Sequence, residues 1–576
     1  MPLMTQWGEA VDRLHPLSEY PRPQLKRESY LNLNGLWEYA ITDSDDLPDV
    51  FDGEILVPFS PESVLSGVNR ALLPHQTLWY RRSLDLPGGF LAEKSRLILH
   101  FGAVDQEADV YVNGKHVCHH MGGYNAFCAD ITDALDEENT LIVRVHDDTD
   151  ASWHSRGKQS SKRGGIWYTP QSGIWQTVWA ESVPAVHIES LRILPLFDES
   201  AVSITVVAAQ DADGVITADG RSLPFAANVP VLFPMNGFRA WSPEDPHLYD
   251  LTVTLGEDMV QSYFAMRKSE VRTDEQGVKR LFLNNKPYFH NGLLDQGYWP
   301  DGLYTPPSDE AMIFDIQTAK ELGYNMLRKH IKVEPMRWYY HCDRLGMLVW
   351  QDMPNGGGLY NFMTISTPLV TGWHRKDTYH KPFARAAAQG RAEYEAELEE
   401  MVNQLYSVPS LVLWVPFNEG WGQFDAERIC KRLSELDASR PIDHASGWHD
   451  QKIGDIKSLH VYFMPYRFKK DKLGRAVILS EFGGYNLRLD GHCFNDTDYG
   501  YKKLPDQQAL WAAYEKLFVK EILPAIPRGL CATVYTQLTD VEDELNGIIT
   551  YDRKVVKLPD KKVRELNRKI IETGSN

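Results

Sequence analysis

Two glutamates close two apolar runs in the same way. Leu411 to Phe417 is apolar throughout and ends in Asn418-Glu419, with Gly420-Trp421-Gly422 directly after; Ala476 to Leu479 leads through Ser480 to Glu481, with Phe482-Gly483-Gly484 behind it. Apolar, β-branched runs of this length suit strands buried on both faces, and such strands present their last side chains at the carboxyl edge of a parallel sheet. In barrels and open α/β sheets, that edge is where ligands bind. Two carboxylates facing each other there could divide the work of glycoside hydrolysis, one protonated beside the glycosidic oxygen and one ionised at the anomeric carbon.

The chain must therefore place two distant strand ends across one pocket. From about Val278 the sequence alternates strand and helix. Tyr288 to Asp295 opens the series, and a helix after Ser308 carries Met312, Ile316 and Ala319 on one face. Tyr324 to His330, a helix after Pro335, and Met347 to Asp352 follow. A long loop and a helix from Arg391 to Tyr406 lead to the Glu419 strand. Pro441 to Ala445, Ser458 to Tyr462, the Glu481 strand and Leu530 to Gln537 complete eight strands, which predicts a (β/α)8 TIM barrel.

Upstream the rhythm differs. Between Leu31 and Glu181 short strands follow tight turns without helices, and Asn113-Gly114 marks a two-residue hairpin. Val186 to Leu194, Ala201 to Val207, His247 to Thr254 and Tyr263 to Arg267 suit a second, immunoglobulin-like β-sandwich. The predicted division is 1–182, 183–275 and 276–576. Ser160 to Gly165, glycine-rich with two cations, reads as an exposed loop at the pocket rim.

Phe417-Asn418-Glu419-Gly420 and Leu479-Ser480-Glu481-Phe482-Gly483 resemble the acid/base and nucleophile strands of glycoside hydrolase family 2, the family of β-galactosidases, β-glucuronidases and β-mannosidases. Asn34-Gly35-Leu36-Trp37, Val110 to Gly114 and Gly173 to Trp179 resemble its jelly-roll "sugar-binding" domain. The resemblance implies Glu419 as general acid/base with a raised pKa, Glu481 as an ionised nucleophile, Arg328 beside the nucleophile, Tyr462 hydrogen-bonded to it, and Asn418 on the sugar 2-hydroxyl. Asp295, Gln296, Trp299, Trp350, Asp352, His374, Trp448, His460 and Gln537, at or just past strand ends, are further candidates for the sugar pocket. The activity implied is that of a retaining exo-β-glycosidase, β-galactosidase-like by default. β-Mannosidase, β-glucosidase and α-L-arabinopyranosidase are its rivals, and a transglycosidase or a non-catalytic carbohydrate-binding protein are alternatives of another kind.

The chain also departs from the family. Leu294-Asp295-Gln296-Gly297 lacks the histidine many members carry there, and Arg328-Lys329-His330 spaces its histidine unusually. Glu544-Leu545-Asn546 lacks the Asn-x-Lys with which glucuronidases grip a uronate, so a uronic acid is the less expected sugar.

Bulk properties narrow the rest. The 576 residues exceed what one core supports. A net charge of −19 argues against nucleic acid or an anionic membrane as partner; the partner that the resemblance implies is a carbohydrate substrate. Six scattered cysteines without metal-ligand spacing read as reduced thiols. Neither a secretory leader nor an apolar run long enough to span a bilayer is legible, so the expected location is cytoplasmic. No cofactor or metal is implied, and a homo-oligomer is possible as in relatives.

Overall fold

The computed structural model describes residues 2–91 and 95–575. Its amino-terminal third is a jelly-roll sandwich. A six-stranded sheet, in the order Gly53–Val57, Gly35–Thr42, Thr77–Ser83, Thr140–His146, Glu107–Val112 and Lys115–Met121, packs on a four-stranded sheet of Leu31–Asn32, Val178–Val183, Arg96–Phe101 and Phe127–Asp130. Period-two alternation drives it: Leu141, Val143 and Val145 are fully buried while their neighbours along the strand are not. Asn113 makes the expected turn with φ +52°.

The second domain is an immunoglobulin-like sandwich of three strands (Ser190–Leu196, Ala201–Val207, Val231–Pro234) on four (Arg221–Ala226, Asp213–Ala218, Tyr249–Leu255, Asp258–Phe264). Its core interleaves Val202, Ile204 and Val206 with Ile216, Val253 and Val260. A hairpin of Ser269–Thr273 and Lys279–Leu283 follows, with the expected 275/276 division in its turn. Leu281 and Leu283, with Trp241 and Ala265, close the floor of the third domain.

That domain is the TIM barrel. Its strands are β1 (His290–Asp295), β2 (Met326–Lys329), β3 (Leu348–Asp352), β4 (Leu411–Val415), β5 (Ile456–Val461), β6 (Ala476–Gly483) and β7 (Leu530–Thr536), all parallel, in the order β4-β3-β2-β1-β7-β6-β5. The expected eighth strand, Pro441 to Ala445, is not continuous. Among the described residues, this segment and the residue after it meet the β4 side at two isolated bridges, Trp414 with Ile442 and Asn418 with Ser446. Pro416 lies between those two bridges and has no N–H to give the ladder, so the pairing skips. Leu294, Met326, Trp350, Leu413, Ile478 and Val534 fill the interior.

Helices cover the barrel as their caps dictate. Asp309–Glu321 starts at Ser308, whose side chain accepts the Ala311 N–H, and buries Met312, Ile316 and Ala319. The helix expected from Arg391 runs Ala388–Leu405. Ser155 of the jelly roll bridges Gly356 of the barrel, so the two domains meet at the barrel mouth. Among the described residues no helix is long and apolar enough to cross a membrane, and all six cysteines are free thiols.

Candidate active site

Glu481 sits in β6 with both carboxylate oxygens engaged. Arg328 Nη1 donates to Oε1 at 3.1 Å, and the Tyr462 hydroxyl donates to Oε2 at 2.5 Å. Arg328 is fully buried in β2, and its guanidinium fork grips Asp352 of β3 at 3.0 and 2.8 Å. The same Nη2 donates to Asn418 Oδ1 at 2.9 Å, and Nη1 to the Ser480 carbonyl at 3.1 Å. One arginine thus sets the positions of three strand ends. Burial alone would lower its pKa, but the charges of Asp352 and Glu481 outweigh burial and hold it above the ordinary value. Tyr462 stacks on Tyr501 with ring centres 3.8 Å apart, and burial followed by the Glu481 charge pushes its phenol well above the usual range.

Glu419 stands just past β4 in the left-handed region, with φ +51°. For a glutamate this conformation costs on the order of 1–3 kcal/mol, and such strain collects at working sites. The Glu419 N–H donates to the Ser446 carbonyl at 2.8 Å and holds the turn. Gly420 follows at φ +77°; a Cβ there would lie 2.6 Å from the His449 ring, so only glycine fits. The turn aims the carboxylate at His460, whose Nδ1 lies 2.7 Å from Glu419 Oε1 and 3.4 Å from Glu481 Oε2. The Trp421 indole donates to Glu419 Oε2 at 3.1 Å.

The Glu419 carboxyl is not raised as the resemblance implied. Burial would push it up, but the His460 hydrogen bond and charge, then Lys158 and the Trp421 indole, together hold it below the ordinary carboxylate range. A proton shared by Glu419 and His460 belongs to the pair.

The remaining candidates divide by depth. Gln296 donates to Gln537 at 2.8 Å, Gln537 to Asn546 at 2.8 Å, and Asn546 to Glu544 Oε1 at 2.9 Å, while Tyr168 of the jelly roll donates to Glu544 Oε2. This chain runs from β1 to the loop after β7 and ends on the other domain. Asp295 is occupied by Lys329 at 2.7 Å, and Asp352 by Arg328 and His330; both support neighbours rather than face open space. Trp350 is a correction: it is fully buried, with its indole donated to His290 at 2.9 Å. It shares an inward face with Asp352, but one layer deeper in the core. Trp299 packs under Arg553, 3.9 Å from its ring centre, and against Trp7, away from the carboxylates. His374 is exposed and takes the Asp450 N–H; it reaches the site only through His449. Trp448 is half-buried and packs against the cluster of Ile365, Phe383 and Trp421.

Several neighbours of the carboxylates were not among the expected residues. Trp421, Trp167 and Tyr360 form an aromatic wall beside Glu419, with ring centres 5.0 to 5.8 Å apart. Lys158, from the jelly-roll loop, and Glu544 complete the surroundings. Trp421 was visible in the Gly-Trp-Gly run; Lys158 had no local signal. Glu419, His460 and Glu481 each offer one ligand atom within 4.8 Å of the others, a set able to take a metal ion as well as a shared proton. A separate cavity of about 430 Å³, lined among others by Arg22, Trp175 and Arg337, lies at the junction of the domains and contains none of these groups.

Two family models match the chain: "Glycosyl hydrolases family 2, sugar binding domain" over residues 67–179 and "Glycosyl hydrolases family 2, TIM barrel domain" over residues 278–484. A putative β-glucuronidase of Formosa agariphila is 27% identical over 368 residues, 59% of this chain and 39% of that protein. A β-galactosidase of Leuconostoc mesenteroides is 25% identical over 517 residues, 79% of this chain and 46% of that one. The chain spans 39% to 59% of the length of these and three similar curated relatives. Among solved structures, β-D-glucuronidase of Dictyoglomus thermophilum superposes with a TM-score of 0.73 at 18% identity, covering 96% of this chain and 98% of that one. Ruminococcus gnavus β-glucuronidase in complex with uronic isofagomine gives 0.74 at 15%, covering 97% and 100%. At those identities the likeness is one of fold.

Proposed function

The chain belongs to glycoside hydrolase family 2, and on that premise we propose that it is a retaining exo-β-glycosidase, with Glu481 as nucleophile and Glu419 as general acid/base. The observation that carries this reading is the spacing of the two carboxylates: one oxygen of each lies within 4.8 Å of the other. Retaining enzymes hold their carboxyls about 5–5.5 Å apart, whereas a water-activating inverting pair needs about 6.5–9.5 Å.

The division of labour follows from the neighbours. Glu481 is met by the Arg328 guanidinium on one carboxylate oxygen and by the Tyr462 hydroxyl on the other, which fix the group for attack on the anomeric carbon. Bond formation from its carboxylate oxygen and departure of the leaving oxygen give a glycosyl-enzyme; the proton for that oxygen comes from the Glu419–His460 pair. Water, deprotonated by Glu419, then displaces Glu481. Asn418 spends its Oδ1 on Arg328, leaving Nδ2 for the sugar 2-hydroxyl. The aromatic wall offers flat faces for the sugar or the group beyond it.

The sugar is a β-linked hexopyranoside at a non-reducing end. Curated relatives carry the names β-galactosidase and β-glucuronidase, which differ in the sugar but share the ring and the anomeric linkage. The test is a nitrophenyl glycoside panel (β-galactoside, β-glucoside, β-mannoside, β-glucuronide, α-L-arabinopyranoside) run on wild type, Glu481→Ala and Glu419→Ala. Turnover of one sugar with net retention, abolished in Glu481→Ala, is expected. Undiminished rates in Glu481→Ala would overturn the nucleophile assignment.

A further inference from the structure

We propose that Lys158, carried into the barrel mouth by the jelly-roll domain, recognises an oxyanion on the terminal sugar of the substrate, either a uronate carboxylate or a sulfate ester. The inference rests on the glycosidase reading above and names what that site selects.

Four lysines are buried among the described residues, and three are fully partnered. Lys329 is held by Asp295 and Glu334, Lys332 by two carbonyls and Glu334, and Lys557 by Asp540 and two carbonyls. Lys158 is 9% exposed, yet among the described residues it has no ion pair and its ammonium donates no hydrogen bond. Its nearest recorded neighbour is an aromatic face, with Nζ 5.8 Å from the centre of Trp167. The stem is buried while the ammonium keeps contact with solvent at the barrel mouth, so the acceptor of an incoming ligand can take the place of water there.

The backbone that carries Lys158 is fixed against the barrel. The Lys158 carbonyl accepts the Tyr168 N–H at 3.0 Å, and the Gly157 N–H donates to the Asn355 carbonyl of the barrel at 2.9 Å. Gly157 has φ +59°, and a Cβ there would lie 2.7 Å from the Ile331 carbonyl, which fixes the loop against the barrel. Trp167 in turn meets Trp421 edge-on at 5.2 Å, and Trp421 donates to Glu419. Lys158 therefore borders the same space as the carboxylate pair.

The two carboxylates that feel its charge are already occupied. Glu419 is engaged by His460 and Trp421, and Glu544 by Tyr168 and Asn546. Burial also pushes Glu544 toward its neutral form, which lessens its repulsion of an incoming anion. A sugar hydroxyl gives the ammonium a neutral acceptor; a carboxylate or sulfate gives it a charge-assisted bond roughly twice as strong. The missing Asn-x-Lys at Glu544 to Asn546 thus does not exclude an acidic sugar, because the cation arrives from another domain.

The test uses the full chain and compares kcat/KM for nitrophenyl β-glucuronide, β-galacturonide and 6-sulfo-β-galactoside with their neutral counterparts, in wild type, Lys158→Met and Lys158→Arg. Wild type is expected to prefer one charged glycoside over its neutral counterpart, and the arm that responds identifies carboxylate or sulfate. In Lys158→Met the charged-to-neutral ratio is expected to fall about 100-fold, the worth of one charge-assisted hydrogen bond, with partial recovery in Lys158→Arg. Preference of wild type for neutral sugars, or an equal loss on both kinds in Lys158→Met, would overturn the proposal. Calorimetry with glucuronate, galacturonate, galactose 6-sulfate and galactose reads the site without turnover. If an acid binds wild type but not Lys158→Met while no glycoside is cleaved, the glycosidase reading fails and this one stands; if none binds more tightly than galactose and no charged glycoside is preferred, this one fails.

Discussion

His460 Nδ1 lies 2.7 Å from Glu419 Oε1, so the imidazole and the carboxylate compete for one proton. The same nitrogen is 3.4 Å from Glu481 Oε2, and on the far side of the ring Nε2 meets the Ser446 hydroxyl at 2.9 Å. The ring is a bridge between the two acids. Its removal should free Glu419 to follow its burial, and the Glu419 pKa should rise. In His460→Asn, kcat/KM for alkyl and methylumbelliferyl glycosides is expected to fall about 100-fold or more, the scale of general acid catalysis. Dinitrophenyl glycosides, whose leaving group needs no proton, should fall much less. Equal losses on both leaving groups would show that His460 has no part in the proton transfer.

Tyr462→Phe removes the 2.5 Å donor from Glu481 Oε2 and keeps the ring stacked on Tyr501. The carboxylate becomes a poorer leaving group in the second half of the reaction. Deglycosylation is expected to slow on the order of 100-fold, as for loss of one aimed donor. With a dinitrophenyl substrate, a burst of phenol should appear that the wild type lacks. No burst and an unchanged kcat would remove Tyr462 from the mechanism.

Arg328 separates charge from geometry. Arg328→Ala leaves Asp352 and Glu481 buried without their cation, and about 3–5 kcal/mol of stability should be lost, measured by denaturant unfolding. Arg328→Lys restores a charge without the fork that also holds Asn418. It should recover most of the stability and little of kcat.

Stability should also fall toward alkaline pH. Burial raises the Glu397 carboxyl to about 8, with the nearby Glu393 charge adding to it, and burial raises Glu62 to about 8. A group whose folded pKa lies above its unfolded value contributes fully below the unfolded value, near 4.5 here. That contribution is lost as pH rises toward 8, at roughly 1.4 kcal/mol per pH unit for each group in the window. Glu397 lies on the helix facing Gly122 of the jelly roll. Glu397→Gln should flatten the fall in Tm between pH 5 and 8; an unchanged slope would assign it to other groups.

What the sequence made legible was the set of residues that end strands. Glu419, Glu481, Arg328 and Tyr462 close apolar runs, and parity along each run states which side chains face inward. The structure brings these four together with Asn418 and His460. Parity does not state depth, which is why Trp350 and Asp352 looked alike although one fills the core and the other grips Arg328. The left-handed turn at Glu419 was equally hidden, since its neighbours Asn418 and Gly420 suit many turns. The lowered Glu419 carboxyl depends on His460, 41 residues along the chain, a contact that only barrel closure creates. Lys158 is harder still to read, because apart from Trp167 and Tyr168 the groups around it, Glu419 and Glu544, come from the barrel, hundreds of residues along the chain.

The bridge between Ser155 and Gly356 has a consequence for how such enzymes diversify. The barrel holds Glu419 and Glu481, while a loop of the neighbouring sandwich supplies part of the pocket wall. The part of that loop that packs on the barrel is fixed, but its exposed tip, Ser161 to Arg163, can exchange residues while the barrel strands keep their pairing. Exchanging residues at that tip is therefore a route by which a lineage, or an engineer, redirects one reaction to new sugars.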